Sequence, residues 1–588
     1  MSCDKLVFDL SQEVEGSPNV FIRKDWINIL DNQNQNYQNN QSIVDTSQLA
    51  NSNKYMSYRE SYLAVPMLLS YRTPQQSAVG GATQTPNDFS IGLKNWFGSI
   101  IHSMTLDYNG TTIVQQTPFC NMWNSFKLLT TLSWADIATM GPTIGFYPDT
   151  SDAWLYYTNA ANTTDGVGIS NNSMGGYTSA VSQNLSNNRY NQPLPAAGLA
   201  TSGGNLGLTL RTKWIAYDPI VNAGTASYGA AFVSSAFSAQ LWKSNVSRRV
   251  ASAGNGTSGI LQISVMATIY LKHLHSFFNM CPLLKGVFMK LTFNLNNSSC
   301  TIANSAALQA TLGCSASTSF IGGIQPIMVP SSYTGGLLTN IPAASNAFYD
   351  LVVGSRCYNN DITNPTAGSP AAAEGNVSKS VYLYVPSYTF NPTFEQAYLS
   401  NNVKQIKYTD IYQYQFEFES GQSGFNQLIT NGIANIKSVL VVPFYKVPMI
   451  AGGASVVQFT SPFDPAGAGP CAPMAALTNF NIQISGQNAI YNMQKYSFEE
   501  WNNQLYGQNA VNGGLTDGLT SGLLDFNDFQ HSYSYYYVNV ERMLPVEHSV
   551  PKSVQVIGQN LGTLPIRAYV FIEYGVSVSI DVLTGARV

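Results

Sequence analysis

Residues Ile100–Gln116, IIHSMTLDYNGTTIVQQ, predict two β-strands joined by a tight turn. Asn109-Gly110 at the centre is a strong type I′ hairpin signal, because both turn positions need a positive φ. Thr117-Pro118 then predicts the start of a helix, since proline is favoured at the first helical position. The apolar side chains that follow have helical spacing: Phe119, Met122, Trp123, Phe126 and Leu129.

The same order of elements occurs again near the C-terminus. Asn481–Met493, NIQISGQNAIYNM, is a second strand, turn and strand. Ser497-Phe-Glu-Glu500 is a capping box that predicts a helix start. Its apolar stripe consists of Phe498, Trp501 and Leu505. Self-similarity of this kind indicates two copies of one structural unit, and both tryptophan stripes are interpreted as core packing.

Further strands show one buried face each. Apolar residues alternate with polar ones in 261–272 (LQISVMATIYLK), and the pattern returns in 287–295 and 570–582. A period of two is typical of a strand buried on one side. Segments rich in Asn, Ser, Thr and Gly separate these strands, and helical periodicity is rare. The sequence therefore predicts an all-β fold of two tandem eight-stranded antiparallel jelly rolls, with long loop insertions and short helices.

Composition divides the chain into three parts. Residues 1–45 are predicted to be an N-terminal arm, ordered on a partner or not at all, because they include an uncharged polar tract after Asp31. The predicted domains are a first jelly roll at 46–400, with long loop insertions at 139–260 and 297–345, and a second jelly roll at 401–588. Long uncharged loops suit lateral packing in a large assembly.

Charge and hydropathy exclude several classes of protein. Charged residues are 10% of the 588, and the net charge is −4. A nucleic-acid binder needs a dense basic surface, so no sequence-specific nucleic-acid partner is expected. The apolar runs are too short for a membrane span, and the first residues, MSCDKLVFDL, lack a signal-peptide pattern. Seven dispersed cysteines indicate reduced thiols, not disulfides or a zinc site.

Candidate catalytic and metal-binding residues are few. His273-x-His275 places two rings on one strand face, but no third or fourth ligand lies nearby in the sequence. The pair Glu417/Glu419 is interpreted as a solvent-facing strand edge, and Glu499/Glu500 as the acidic first turn of a helix. We therefore expect no catalytic residues, no cofactor-binding residues and no metal ligands, and hence not an enzyme.

Three segments carry a resemblance to a known family. They are Leu93–Phe119, which contains LKNWFG and IHSMTLDYNGTTIVQQTPF; Leu284–Leu295, LKGVFMKLTFNL; and Tyr384–Leu399, which contains YVPSY and EQAYL. Their order and spacing resemble the double jelly-roll major capsid proteins of virophages and polinton-like viruses. That family resembles the wider adenovirus, tectivirus and giant-virus capsid lineage.

The resemblance implies a structural function in a virus particle. A homotrimer would present six jelly rolls as a pseudo-hexameric capsomer, and trimers would tile an icosahedral capsid around a double-stranded DNA genome. The implied partners are further copies of this chain, a penton protein and other minor capsid proteins. The implied location is the virion, with assembly inside the host cell.

Two other interpretations of an all-β chain stay open at this point. A viral spike or glycan-binding β-protein could use exposed tyrosine and asparagine side chains to contact sugars. A glycoside hydrolase on a jelly-roll scaffold would need two carboxylates about 5–9.5 Å apart. Nothing in the sequence marks such a pair.

Overall fold

The structure is a computed structural model that describes residues 19–35, 37, 40–50, 52–72, 92–93, 96–115, 118–148, 246–251, 260–296, 298–305, 308–314, 327–328, 346–357, 376–378, 380–418, 424–445, 477–490, 496–506, 522–526, 529, 535–541, 550–560 and 566–587. Most of the predicted loop at 139–260 lies outside the described residues.

Strands before residue 391 form what we call the first unit. They are β1 (Phe21–Leu30), β2 (Gln41–Asp45), β3 (Tyr55–Met56), β4 (Tyr62–Arg72), β5 (Gly92–Leu93), β6 (Ile101–Tyr108), β7 (Thr111–Gln115), β8 (Val246–Ala251), β9 (Ile260–Tyr270), β10 (Met289–Leu295), β11 (Ser298–Ser305), β12 (Leu308–Cys314), β13 (Ile327–Met328), β14 (Asn346–Val353), β15 (Ser355–Cys357), β16 (Asn376–Ser378) and β17 (Tyr382–Phe390).

Strands after residue 400 form the second unit. They are β18 (Val403–Phe418), β19 (Phe425–Ile433), β20 (Ile436–Tyr445), β21 (Leu477–Ile484), β22 (Gln487–Asn488), β23 (Tyr536–Asn539), β24 (Lys552–Asn560) and β25 (Ile566–Asp581). The helices of the described chain are short: α1 (Ser47–Ala50), α2 (Cys120–Thr131), α3 (Trp134–Ile144), α4 (Leu271–Leu274), α5 (Ser276–Met280), α6 (Pro392–Leu399) and α7 (Phe498–Tyr506). A 3-10 turn covers Phe97–Ile100. No helix in this part of the chain is long and apolar enough to cross a membrane.

Each unit contains two main antiparallel sheets. In the first unit, a nine-stranded sheet has the order β1-β17-β4-β14-β11-β12. Three more strands belong to this sheet: β3 pairs with β17, β9 pairs with β4, and β8 pairs with β9. A four-stranded sheet has the order β2-β10-β6-β7. The second unit has two four-stranded sheets, β18-β25-β20-β23 and β19-β24-β21-β22. The eight strands of the second unit match the predicted jelly roll, whereas the first unit carries additional strands. The fold class is the predicted all-β architecture.

The two predicted hairpins are confirmed. Asn109 and Gly110 have φ values of 47° and 81°, and Ser485 and Gly486 have φ values of 51° and 81°. Both turns thus have the two consecutive positive φ angles of a type I′ turn. The serine half of the predicted capping box is present, since the Glu500 N–H donates to Ser497 Oγ at 3.4 Å.

Three details of the prediction are wrong. Residues 21–45 of the predicted arm form β1 and β2, which pair with β17 and β10; their strand pattern outweighs the polar tract between them. Helix α2 begins at Cys120, and the residue before it, Phe119, is left-handed with a φ of 67°, so the helix does not begin at Pro118 as predicted; Thr117 lies outside the described residues. Part of the predicted loop 297–345 is the β11–β12 hairpin.

Candidate functional site

The contact between the two units is the most extensive feature that the sequence did not predict. Helix α2 of the first unit lies against the second unit, and the ring of Phe126 is at its centre. The Phe126 ring centroid lies 6.0 Å from that of Trp501 and 5.1 Å from that of Tyr535. We call this contact the junction.

Both predicted tryptophan stripes meet there. Trp123 is 4% exposed and Trp501 is fully buried, as the prediction of core packing requires. Trp123 packs on Phe571 of β25, with centroids 6.1 Å apart. The left-handed Phe119 places its ring 4.9 Å from Tyr569. The two stripes therefore form one aromatic core shared by both units.

Hydrogen bonds also cross the junction. The Tyr408 hydroxyl donates to the Ile113 carbonyl at 2.7 Å, and the Leu523 N–H donates to the Leu129 carbonyl at 2.9 Å. The Asn109 side chain, in the first hairpin turn, donates to the backbone carbonyl of Gly585. Each bond has a backbone carbonyl as its acceptor, and only the Leu523 bond also has a backbone donor. Together they restrict rotation as well as separation of the units.

A buried carboxylate lies beside the aromatic core. Glu573 is 8% exposed, accepts a hydrogen bond from Ser438 Oγ at 2.8 Å and lies 3.6 Å from Lys127 Nζ of α2. Burial by itself raises the pKa of Glu573, but the Lys127 ammonium and the hydrogen bonds outweigh it and lower the pKa below its ordinary value. Glu573 is therefore a charged group that depends on the other unit.

The two histidines considered as metal ligands do not share a strand face as predicted, because His273 lies in α4 and His275 is the residue before α5. His275 Nδ1 accepts the Phe277 N–H at 3.1 Å, which caps α5, and its Nε2 lies 3.4 Å from Asp410 Oδ1 across the junction. Burial lowers the pKa of His273 to about 4. Among the described residues, no group of three or more His, Cys, Asp or Glu side chains could hold a metal ion.

The sequence interpreted two carboxylate pairs as structural and not as acid and base. Glu417 forms a cross-strand ion pair with Arg567 at 2.9 Å, and Glu419 lies outside the described residues. Glu499 and Glu500 occupy the first turn of α7 as predicted. Two clefts of about 390 and 590 Å³ lie along the junction; the smaller is lined by Lys127, Lys272 and Thr409, among others.

A second surface that the sequence missed is the outer face of β1. Ile22, Trp26 and Leu30 are 66%, 50% and 46% exposed. Behind Trp26, a row of partly exposed rings crosses the sheet through Tyr62 and Tyr384, which are stacked 5.0 Å apart. The sequence signal for this strand was the alternation of apolar residues in FIRKDWINIL, the sequence of β1. An exposed apolar strip of this kind is typical of an interaction surface.

No protein-family profile and no curated protein sequence matches the chain. Among solved structures, a chain from the cryo-EM structure of the Sputnik virophage is similar over 98% of this chain and 90% of that chain, with a TM-score of 0.50 and 9% identity. The chain is a double jelly roll. The resemblance that the sequence suggested is thereby confirmed at the level of the fold.

Other double jelly rolls are similar over the same share of this chain. The mavirus major capsid protein has a TM-score of 0.42 and 11% identity, with 98% of this chain and 92% of that chain covered. The Faustovirus major capsid protein has a TM-score of 0.40 and 8% identity, with 98% and 94% covered.

Proposed function

We propose that this protein is the major capsid protein of a double-stranded DNA virus. Three copies form a pseudo-hexameric capsomer, and capsomers tile an icosahedral shell. In this proposal the protein is a structural component of the virion, assembled inside the host cell, and not an enzyme. Its first jelly roll, which includes β1 and β2, ends near residue 400, and the second follows it.

The observation that carries the proposal is the pair of jelly rolls in one chain, held in a fixed relation by a buried junction. A capsomer that approximates six-fold symmetry with three chains needs two similar units per chain at a constant spacing. The aromatic core around Phe126 and the Glu573–Lys127 pair supply that constancy. The similarity to a virophage chain over 98% of the sequence supports the same function.

Partners follow from this role. A closed icosahedral shell needs twelve five-fold vertices, which a pseudo-hexameric capsomer does not fit, so we propose a separate penton protein and other minor capsid proteins. With 28 basic residues against 32 acidic ones, the chain is poorly suited to neutralising phosphates. Genome condensation is therefore assigned to other proteins.

Light scattering after size-exclusion chromatography and negative-stain electron microscopy of the purified chain test the proposal. The expected result is a stable trimer with a hexagonal outline, because obligate oligomers bury more than roughly 2,000 Å² per interface. A folded monomer at micromolar concentration contradicts it. Tapered, fibre-like particles favour the spike interpretation instead.

A further inference from the structure

The two clefts along the junction adjoin each other, because Ser276 and Thr409 line both of them. Together they cross from the first unit to the second, and four lysines lie along them: Lys127 and Lys272 in the smaller cleft, and Lys407 and Lys437 in the larger. We call this feature the lysine groove. It collects basic side chains in a protein that has few of them, 28 among 588 residues.

The charge of the lysine groove is only partly compensated. Lys127 Nζ lies 3.6 Å from Glu573, and Lys437 Nζ lies 3.3 Å from Glu541. The other two lysines of the groove form no ion pair within the described part of the chain, and both are exposed. The groove therefore has an excess of positive charge, which favours a ligand that carries carboxylates.

The lysine groove also offers apolar surface. Met280 of α5 lines the larger cleft and is 59% exposed, and Ile436 and Val576 line the same cleft. A methionine side chain is flexible and adapts its shape to different apolar partners. A ligand that combines carboxylates with apolar side chains, such as an acidic peptide segment, therefore fits this groove better than a small inorganic anion.

The first residues of the chain have this composition. Residues 1–18, MSCDKLVFDLSQEVEGSP, lie outside the described residues. They contain four carboxylates and one lysine, a difference that accounts for three of the four net negative charges of the chain. The apolar run LVF and a further leucine lie among these carboxylates. We call residues 4–15 the acidic segment.

The acidic segment is long enough to reach the lysine groove of its own chain. The Phe21 ring lies 4.9 Å from that of Phe390, which is stacked 5.3 Å from Tyr398. The Tyr398 hydroxyl donates to the carbonyl of Leu283 at 2.8 Å, three residues after Met280. Along this route Met280 lies within about 35 Å of Phe21. The acidic segment lies between six and seventeen residues before Phe21, so an extended chain places it about 20–56 Å away.

We propose that the acidic segment binds in the lysine groove of the same chain. Its carboxylates face Lys272 of the first unit and Lys407 of the second, and its apolar side chains contact Met280. The bound segment is thus a clasp that adds a contact between the units outside the aromatic core. This inference goes beyond the proposed function and does not depend on trimer formation, since every group involved belongs to one chain.

Amide hydrogen exchange, measured by mass spectrometry on the purified full chain, tests the clasp. The acidic segment should exchange at least about fivefold more slowly than a synthetic peptide of the same sequence, since each exposed ion pair contributes a factor of about two to five. Lys272→Glu combined with Lys407→Glu should raise the exchange to that of the peptide, because repulsion replaces attraction. Adding Asp9→Lys, Glu13→Lys and Glu15→Lys to that variant should restore the protection.

Two further variants make the outcome specific. Arg59→Glu makes the same change of charge at an exposed residue that lines neither cleft, and it should leave the protection unchanged. Phe8→Cys with Met280→Cys should form a disulfide within one chain on oxidation, whereas a disulfide only between chains overturns the same-chain assignment.

Two results overturn the clasp itself: an acidic segment that exchanges as fast as the free peptide, or protection that survives the double charge reversal. Both groove lysines replaced in that variant are exposed, so it is expected to stay folded, and a melting curve checks this. Failure of the wild-type chain to form trimers contradicts the proposed function instead, and leaves the exchange results unaffected.

Discussion

Replacing Phe126 by alanine is the sharpest test of the junction. The ring is 1% exposed and contacts Trp501, Tyr535 and Tyr537, with centroids between 5.1 and 6.0 Å apart. Removing a buried phenylalanine costs about 3–5 kcal/mol, and aromatic pairs contribute about 0.5–1.5 kcal/mol each beyond buried area. We expect Phe126→Ala to lie at the upper end of that range.

The location of the loss matters more than its size. Phe293 is also 1% exposed and lies in β10 of the first unit. Phe293→Ala is therefore a matched control with the same change of side chain. Both variants should be destabilised, but only Phe126→Ala should weaken the coupling between units.

Calorimetry and hydrogen exchange measure that difference. The wild type and Phe293→Ala should each unfold in one transition. Phe126→Ala should separate unfolding into two transitions. The amide hydrogen-exchange rates of β9, in the first unit, and of β25, in the second, should then no longer change together. A loss below about 1 kcal/mol, or a single transition shifted as in the control, would refute the idea that the junction couples the units.

Other variants probe charge, protonation and backbone strain. Lys127→Met should cost about 1–3 kcal/mol at neutral pH, less than a fully buried pair because Lys127 is 40% exposed. The cost should shrink as the pH falls, since the pKa of the unpaired Glu573 is raised by burial and its protonated form needs no partner; urea titrations at several pH values measure this. Burial lowers the pKa of His102 to about 4, so its contribution to stability is complete above the unfolded pKa near 6.5 and is lost as the pH falls toward 4; His102→Gln should flatten the stability profile in that window. Gly522→Ala should lower the melting temperature more than Gly110→Ala, because both have positive φ but only Gly522 places a new Cβ within 2.5 Å of a backbone carbonyl.

Local signals in the sequence predicted local structure well. Asn109-Gly110 and the Ser497 capping box act within a few residues, so their turn and helix start form where the pattern places them. The helix start predicted at Pro118 is displaced to Cys120, where a distant contact prevails: the Phe119 ring packs between His102 and Tyr569. That contact joins the units, and no local pattern encodes it.

The junction and the outer face of β1 were missed for different reasons. Phe126 and Trp501 were each assigned correctly to a core, but sequence spacing cannot show that the two cores are one. β1 was missed because the uncharged tract after Asp31 dominated the composition of its neighbourhood. Its apolar residues alternate over only ten positions, and half of them face outward, which weakens the signal of a buried face.

The strength of the junction has a physical reason. The two units belong to one chain and never need to separate, so the contact between them can be strong without trapping a misplaced partner. The junction accordingly combines aromatic rings, hydrogen bonds to backbone groups and an ion pair with a buried carboxylate. Packed rings alone tolerate small shifts, whereas hydrogen bonds have narrow distance and angle limits, so the combination fixes the relative position of the two jelly rolls as well as their contact.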